Sequence, residues 1–185
     1  VKWFTVFAFS TENWARPSEE VKFLLNFNEK ILLERRDELN ERNVRIRFIG
    51  RRNRQVPRRL IRRMEETENL TKGNTGLTFT IAFNYGGRAE IVDAVKRIID
   101  KGMSAERINE KTISRHLYDP TIPDPDLVIR TSGEYRVSNF LLWEIAYSEL
   151  IFSETLWPDF RREDLFTAVK EYQDRDRRYG GVSET

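Results

Sequence analysis

The 185 residues contain no cysteine, which excludes disulfides and thiolate chemistry. A single histidine, His116, leaves a structural zinc site without a ligand set, so any metal must be held by oxygen donors. Long apolar runs are missing too. The longest apolar-rich windows, Phe79–Phe83 and Phe140–Tyr147, are broken by polar residues and fall well short of the roughly 20 residues that cross a bilayer. No secretory signal pattern is visible within these residues. An excess of one charge is lacking as well: 32 basic residues nearly balance 30 acidic ones, and the net charge of +2 is modest.

What is present suits a globular chain. Apolar residues make up 39% and charged residues 34% of the sequence. The length fits one domain, 1–185, that can bury roughly 70% of the surface of its unfolded form. Of 32 basic residues, 24 are arginine, the side chain best shaped for bidentate phosphate contact. A compositional bias from a heat-adapted or GC-rich source accounts for the same count. The chain opens on Val1 inside the apolar run VKWFTVFAFS, which predicts a buried strand and an N-terminally incomplete domain.

Periodicity then sets out the order of elements. Pro17, Glu19 and Glu20 mark a helix start, and Val21, Leu24, Leu25, Ile31 and Leu32 carry the helix over 18–41. Val44, Ile46 and Phe48 alternate with arginines as a strand ending at Gly50. Arginines crowd Arg51–Arg63 ahead of a weaker helix, and Gly73–Gly76 forms a turn. A strand over 77–84 and a helix over 88–101 follow, with Ile91, Val92, Val95, Ile98 and Ile99 expected inward. Asn109 can cap a short helix, and a strand is expected over 126–130. A short buried helix over 139–147, a strand over 149–152 and a closing helix over 162–178 complete the reading. This alternation predicts an α/β fold: a single layer of mostly parallel β-sheet flanked by helices.

In such sheets ligands bind beyond the carboxyl ends of strands, and two loops qualify. One presents Arg130, Ser132, Glu134, Arg136 and Ser138 within nine residues, with Ser138 placed to cap the helix expected at Asn139. Guanidinium forks at a helix start make an anion site, the mark of an enzyme with a phosphorylated substrate. The plainer alternative is that these charges pair with one another. The other loop, Phe9–Pro17, offers hydroxyls, an amide, an indole and an arginine. There the plainer alternative is a cap by Thr11 or Asn13 with Trp14 as a hydrophobic staple.

The strings FAFSTENWARP, GNTGLTFTIAFNYGGRAEI, DLVIRTSGEYRVSNFLLWEIAYSEL, LWPDF and RRYGG cover essentially the whole chain. In that order they resemble the cis-prenyltransferase family, in particular bacterial undecaprenyl or decaprenyl diphosphate synthases. The resemblance implies Mg²⁺-dependent elongation of an allylic diphosphate by isopentenyl diphosphate, giving a polyprenyl diphosphate lipid carrier precursor. It implies an apolar tunnel between sheet and helices for the growing chain. By motif, Arg130, Arg136, Val137 and Ser138 would bind isopentenyl diphosphate and Glu149 would help hold Mg²⁺. Ser10, Thr11, Glu12, Trp14 and Arg16 would line the substrate site. Asn13 stands at the catalytic position, where a neutral amide is a poor base and would better orient the group that takes the proton. Gly180 belongs to a terminal R-x-G element that reaches the partner's site in related dimers, so a homodimer is implied, in the cytoplasm or peripheral at the membrane through the lipid product.

One departure from the family pattern stands out: no H-x-A-x-I-M-D-G-N-G-R-W string occurs here. That string would hold the allylic diphosphate and pair with Glu149 at the metal. The 185 residues alone are therefore expected to be inactive while the parent protein is active. A non-catalytic partner subunit of a cis-prenyltransferase complex is the rival expectation. Nucleic acid is not an expected ligand, because no RNA-binding motif accompanies Arg51–Arg63.

Overall fold

The computed structural model describes residues 1–175, which fall into two compact units, Val1–Ile122 and a second beginning at Pro123. The first unit holds β1 (Trp3–Ser10), α1 (Ser18–Glu41), β2 (Arg45–Ile49), α2 (Arg58–Thr71), β3 (Thr78–Tyr85), α3 (Gly87–Asp100) and α4 (Glu110–Ser114). Its three strands pair in the order β1-β3-β2, all parallel. The central strand β3 buries Ala82, Phe83, Asn84 and Tyr85 in succession, the unbroken pattern of a strand with neighbours on both sides. β1 is less enclosed than its apolar run suggests. Only Phe9 is buried, while Trp3 and Phe4 are 37% and 39% exposed, since the described sheet pairs β1 along one edge alone.

A core of Phe9, Val21, Leu32, Val56, Leu60, Met64 and Phe83 joins the sheet to α1 and α2, and Phe9 stacks on Phe83 at 5.2 Å. α2 also closes the outer edge of β2. A parallel strand paired on one side leaves alternate N–H groups unpaired, and each needs an acceptor. Thr71 accepts from the Ile46 N–H at 3.0 Å and Glu68 from the Phe48 N–H at 2.9 Å. This explains why the buried face of α2 turns from Leu60 and Met64 to Thr67 and Thr71. The arginines of this region are largely spoken for: Arg52 pairs with Glu68, Arg59 with Glu29 and Arg63 with Glu66. α3 buries Gly87, Glu90, Ala94 and Ile98 and leaves Val92, Val95 and Ile99 exposed, so its inward stripe is rotated from the expected one. Buried Glu90 decides the rotation, because Tyr85 donates to its carboxylate through the hydroxyl and Tyr118 through the backbone N–H.

The second unit contains β4 (Leu127–Arg130), β5 (Glu149–Phe152) and α5 (Arg162–Gln173). β4 and β5 pair in parallel, in register from Leu127 opposite Glu149 to Arg130 opposite Phe152. The parallel sheet with flanking helices expected from the sequence is thus present, distributed over a three-stranded and a two-stranded sheet. No helix among the described residues is long and apolar enough to cross a membrane.

Candidate active site

In the first unit, β1, β2 and β3 end along one edge because all three are parallel. β1 reaches that edge through an irregular register between Phe7 and Ser10, a bulge that re-aims the residues at its end. The chain then makes a 3-10 turn, Thr11–Ala15. Asn13 Oδ1 accepts the Ser10 N–H at 2.8 Å, so the amide oxygen of Asn13 is already engaged in closing the turn. Its NH₂ group remains for a ligand as a donor, together with the second lone pair of the oxygen. Thr11 donates to Glu12 at 3.0 Å, and Arg16 pairs with Glu20 on the first turn of α1. Trp14 packs edge-on against Phe9 at 4.9 Å and donates its Nε1–H to Asn84 at 2.8 Å. The packing role expected of Trp14 is therefore real. Ser10, Thr11, Glu12, Asn13, Trp14 and Arg16 come together on this one turn.

Behind it lies a polar cluster that sequence reasoning missed. Asn84 is 1% exposed and adopts a φ of +49°. Arg51 forks onto Asp93 with both bonds at 2.8 Å, and Tyr118 donates to the same carboxylate at 2.7 Å. The fork holds the Asp93 carboxyl below its ordinary range and raises the Arg51 guanidinium, while burial raises the Tyr118 phenol. The available signal was a polar residue, Asn84, closing an apolar strand.

In the second unit the loop after β4 folds back on the end of β5. Ser132 and Gly133 donate their N–H groups to the carbonyls of Thr155 and Ser153. Gly133 is favoured there, since its φ is +63° and a Cβ would lie 2.5 Å from Glu154 Oε2, which would have to swing aside. Tyr135 donates to Glu154 Oε1 at 2.7 Å, which raises the Tyr135 phenol. Arg130 presents a buried Nε with no hydrogen-bond partner among the described residues. An unmet buried donor costs about 1–3 kcal/mol, and an anion would recover it. Arg136 pairs with Glu134, as the plainer reading of this loop foresaw. Its side chain is 64% exposed, so that pair contributes at most about 1 kcal/mol and can exchange for a diphosphate.

The helix expected over 139–147 does not form. Ser138, Asn139 and Leu141 have φ of +49°, +63° and +44°, and left-handed residues in close succession interrupt a right-handed helix. Ser138 is therefore not a helix cap, and the chain runs through turns from Val137 to Ser148. Sparse non-glycine conformations of this kind gather at ligand sites. Glu149, at the start of β5, accepts from Arg175 at 2.8 Å, and Arg175 also binds the Leu150 carbonyl and Glu171. No group of three acidic or histidine side chains that could hold a metal occurs among the described residues. The residues present thus do not form a complete Mg²⁺ site. Gly180 lies outside the described residues.

The family model for undecaprenyl diphosphate synthase matches residues 1–180. This chain belongs to that prenyltransferase family. Isoprenyl transferase 2 of Corynebacterium efficiens is 50% identical, covering 97% of this chain and 75% of that protein. The decaprenyl diphosphate synthase of Mycobacterium tuberculosis is 48% identical over 98% of this chain and 62% of its own length. Among solved structures, one from Campylobacter jejuni ascribed to undecaprenyl diphosphate synthase matches with a TM-score of 0.89 at 36% identity, covering 97% of this chain and 84% of that one. Lavandulyl diphosphate synthase from Lavandula x intermedia, in complex with dimethylallyl diphosphate, gives 0.93 at 34% identity, over 98% and 80%. Membership in the prenyltransferase family assigns the protein to cis-prenyl chain elongation toward a polyprenyl diphosphate.

Proposed function

We propose that the protein joins isopentenyl diphosphate to an allylic diphosphate, with the Arg130–Ser138 loop holding the diphosphate of isopentenyl diphosphate. The observation that carries this is the buried Nε of Arg130 with no partner among the described residues, on the same loop as an exposed, exchangeable Arg136. Val137 and Ser138 complete the loop, and the turn Ser10–Arg16 supplies further substrate contacts. Asn13 acts as a donor that orients water or a phosphate oxygen, and that oxygen removes the proton, because a neutral amide is a poor base. When bound, Mg²⁺ would neutralise charge developing on the diphosphate leaving group. Glu149, whose Oε2 is paired with Arg175, would be one ligand.

The growing chain would run in an apolar tunnel between sheet and helices, and at about 0.8 kcal/mol per CH₂ each five-carbon addition gains roughly 4 kcal/mol. Product release is then slow, and the enzyme, a cytoplasmic homodimer, meets the membrane through its lipid product. The rival reading, a non-catalytic partner subunit, draws on the pairing of Glu149 with Arg175. Transfer of labelled isopentenyl diphosphate onto an allylic primer separates the two. The enzyme reading expects the protein to elongate the primer. An intact protein that never incorporates label sinks it.

A further inference from the structure

We propose that Asn84 is a positioning residue for the Ser10–Arg16 turn, acting through Trp14. Three contacts converge on its side chain. Oδ1 accepts the Trp14 indole N–H at 2.8 Å, while Nδ2 donates to the Arg51 carbonyl at 2.8 Å and to Asn53 Oδ1 at 3.3 Å. The ends of β1 and β3 and the loop after β2 are thereby tied to one amide. Only an amide side chain accepts and donates twice at the same time. Asparagine also tolerates the left-handed conformation found here, φ +49°, better than other chiral residues. These are two independent demands, one on the side chain and one on the backbone, and asparagine meets both.

The approach of Arg51 is itself prepared. Gly50, at φ +125°, sits where a Cβ would lie 2.0 Å from the Phe83 carbonyl, so only glycine lets the β2 loop close on β3. The Arg51 N–H then donates to the Asn84 carbonyl at 3.1 Å, which makes the Arg51–Asn84 contact reciprocal. On the far side Arg51 is locked by the Asp93 fork. The rigid line Asp93–Arg51–Asn84 thus ends on the Trp14 indole, one residue from Asn13. A small displacement at such a position is amplified in substrate alignment.

The proposal rests on the reading of Ser10–Arg16 as a substrate contact, and the test separates the two. In the intact enzyme, the indole N–H resonance of Trp14, assigned by its loss in Trp14→Phe, should shift and exchange faster in Asn84→Gly, a variant that suits the backbone angle. The KM for isopentenyl diphosphate should rise about tenfold, a change that partial unfolding cannot produce, because unfolded molecules lower the apparent kcat alone. In the Trp14→Phe background, adding Asn84→Gly should change KM by less than about twofold, since the contact is already gone. A Trp14→Phe variant that raises KM beside an Asn84→Gly variant that does not overturns the proposal alone. A Trp14→Phe variant with unaltered kinetics overturns the substrate-contact reading as well.

Discussion

Gly50→Ala is the change that the geometry of the first unit tolerates least. The new Cβ would stand 2.0 Å from the Phe83 carbonyl oxygen, 3.0 Å from its carbon and 3.1 Å from the Asn84 oxygen. All three are backbone atoms of the central strand, so no side-chain rotation relieves the contact. The φ of +125° is a region essentially reserved for glycine, where a side chain costs about 1–3 kcal/mol. Forcing β2 away from β3 adds an overpacking cost of about 1–3 kcal/mol. The sum, about 2–6 kcal/mol, should lower the urea midpoint by roughly 1–2 M or more at an m-value near 2–3 kcal/mol/M. Gly73→Ala is the control, because nothing lies within 4 Å of its Cβ. That substitution should be neutral or stabilising by up to about 1 kcal/mol. Equal midpoints for the two variants would refute the close-approach argument, and with it the claim that Gly50 seats Arg51 on Asn84.

Acid stability tests the fork beneath the site. Asp93 has its carboxyl pKa depressed by Arg51, so its stabilisation is complete above the unfolded carboxyl pKa, roughly 3.9, and is lost as pH falls through the lower folded value. Asp93→Asn should flatten the stability profile between about pH 5 and pH 2, and an unchanged slope would remove Asp93 from the account. Glu134→Gln should tighten isopentenyl diphosphate binding by up to about fivefold by freeing Arg136 from an exposed pair, whereas Arg136→Ala should weaken it. A titration in which Glu134→Gln binds more weakly would place Glu134 among the ligand contacts.

Much of this was legible in the residues. The 18–41 helix, the β2 and β3 strands and the Asn109 cap, whose side chain accepts the Thr112 N–H, follow from periodicity and capping chemistry. Both candidate loops stand where parallel strands end. The segment 139–147 misled because its apolar composition suits a helix while the φ angles of Ser138, Asn139 and Leu141 forbid one, and composition carries no sign of φ. The face of α3 was misplaced because Glu90 reads as a surface residue until Tyr85 and Tyr118 are seen to bind it. Asn84 was passed over for the same reason, since its partners Trp14 and Arg51 lie 70 and 33 residues away. Long-range polar contacts leave no periodic trace.

The diphosphate assignment is tested most directly by calorimetric titration of isopentenyl diphosphate into the intact protein and into Arg130→Ala. The unmet buried donor at Arg130 predicts saturable binding by the parent protein and a loss of at least about tenfold in the variant, as expected for a charged hydrogen bond worth about 1.5–3 kcal/mol. Equal affinity in the two proteins would contradict the claim that the Arg130–Ser138 loop holds the diphosphate.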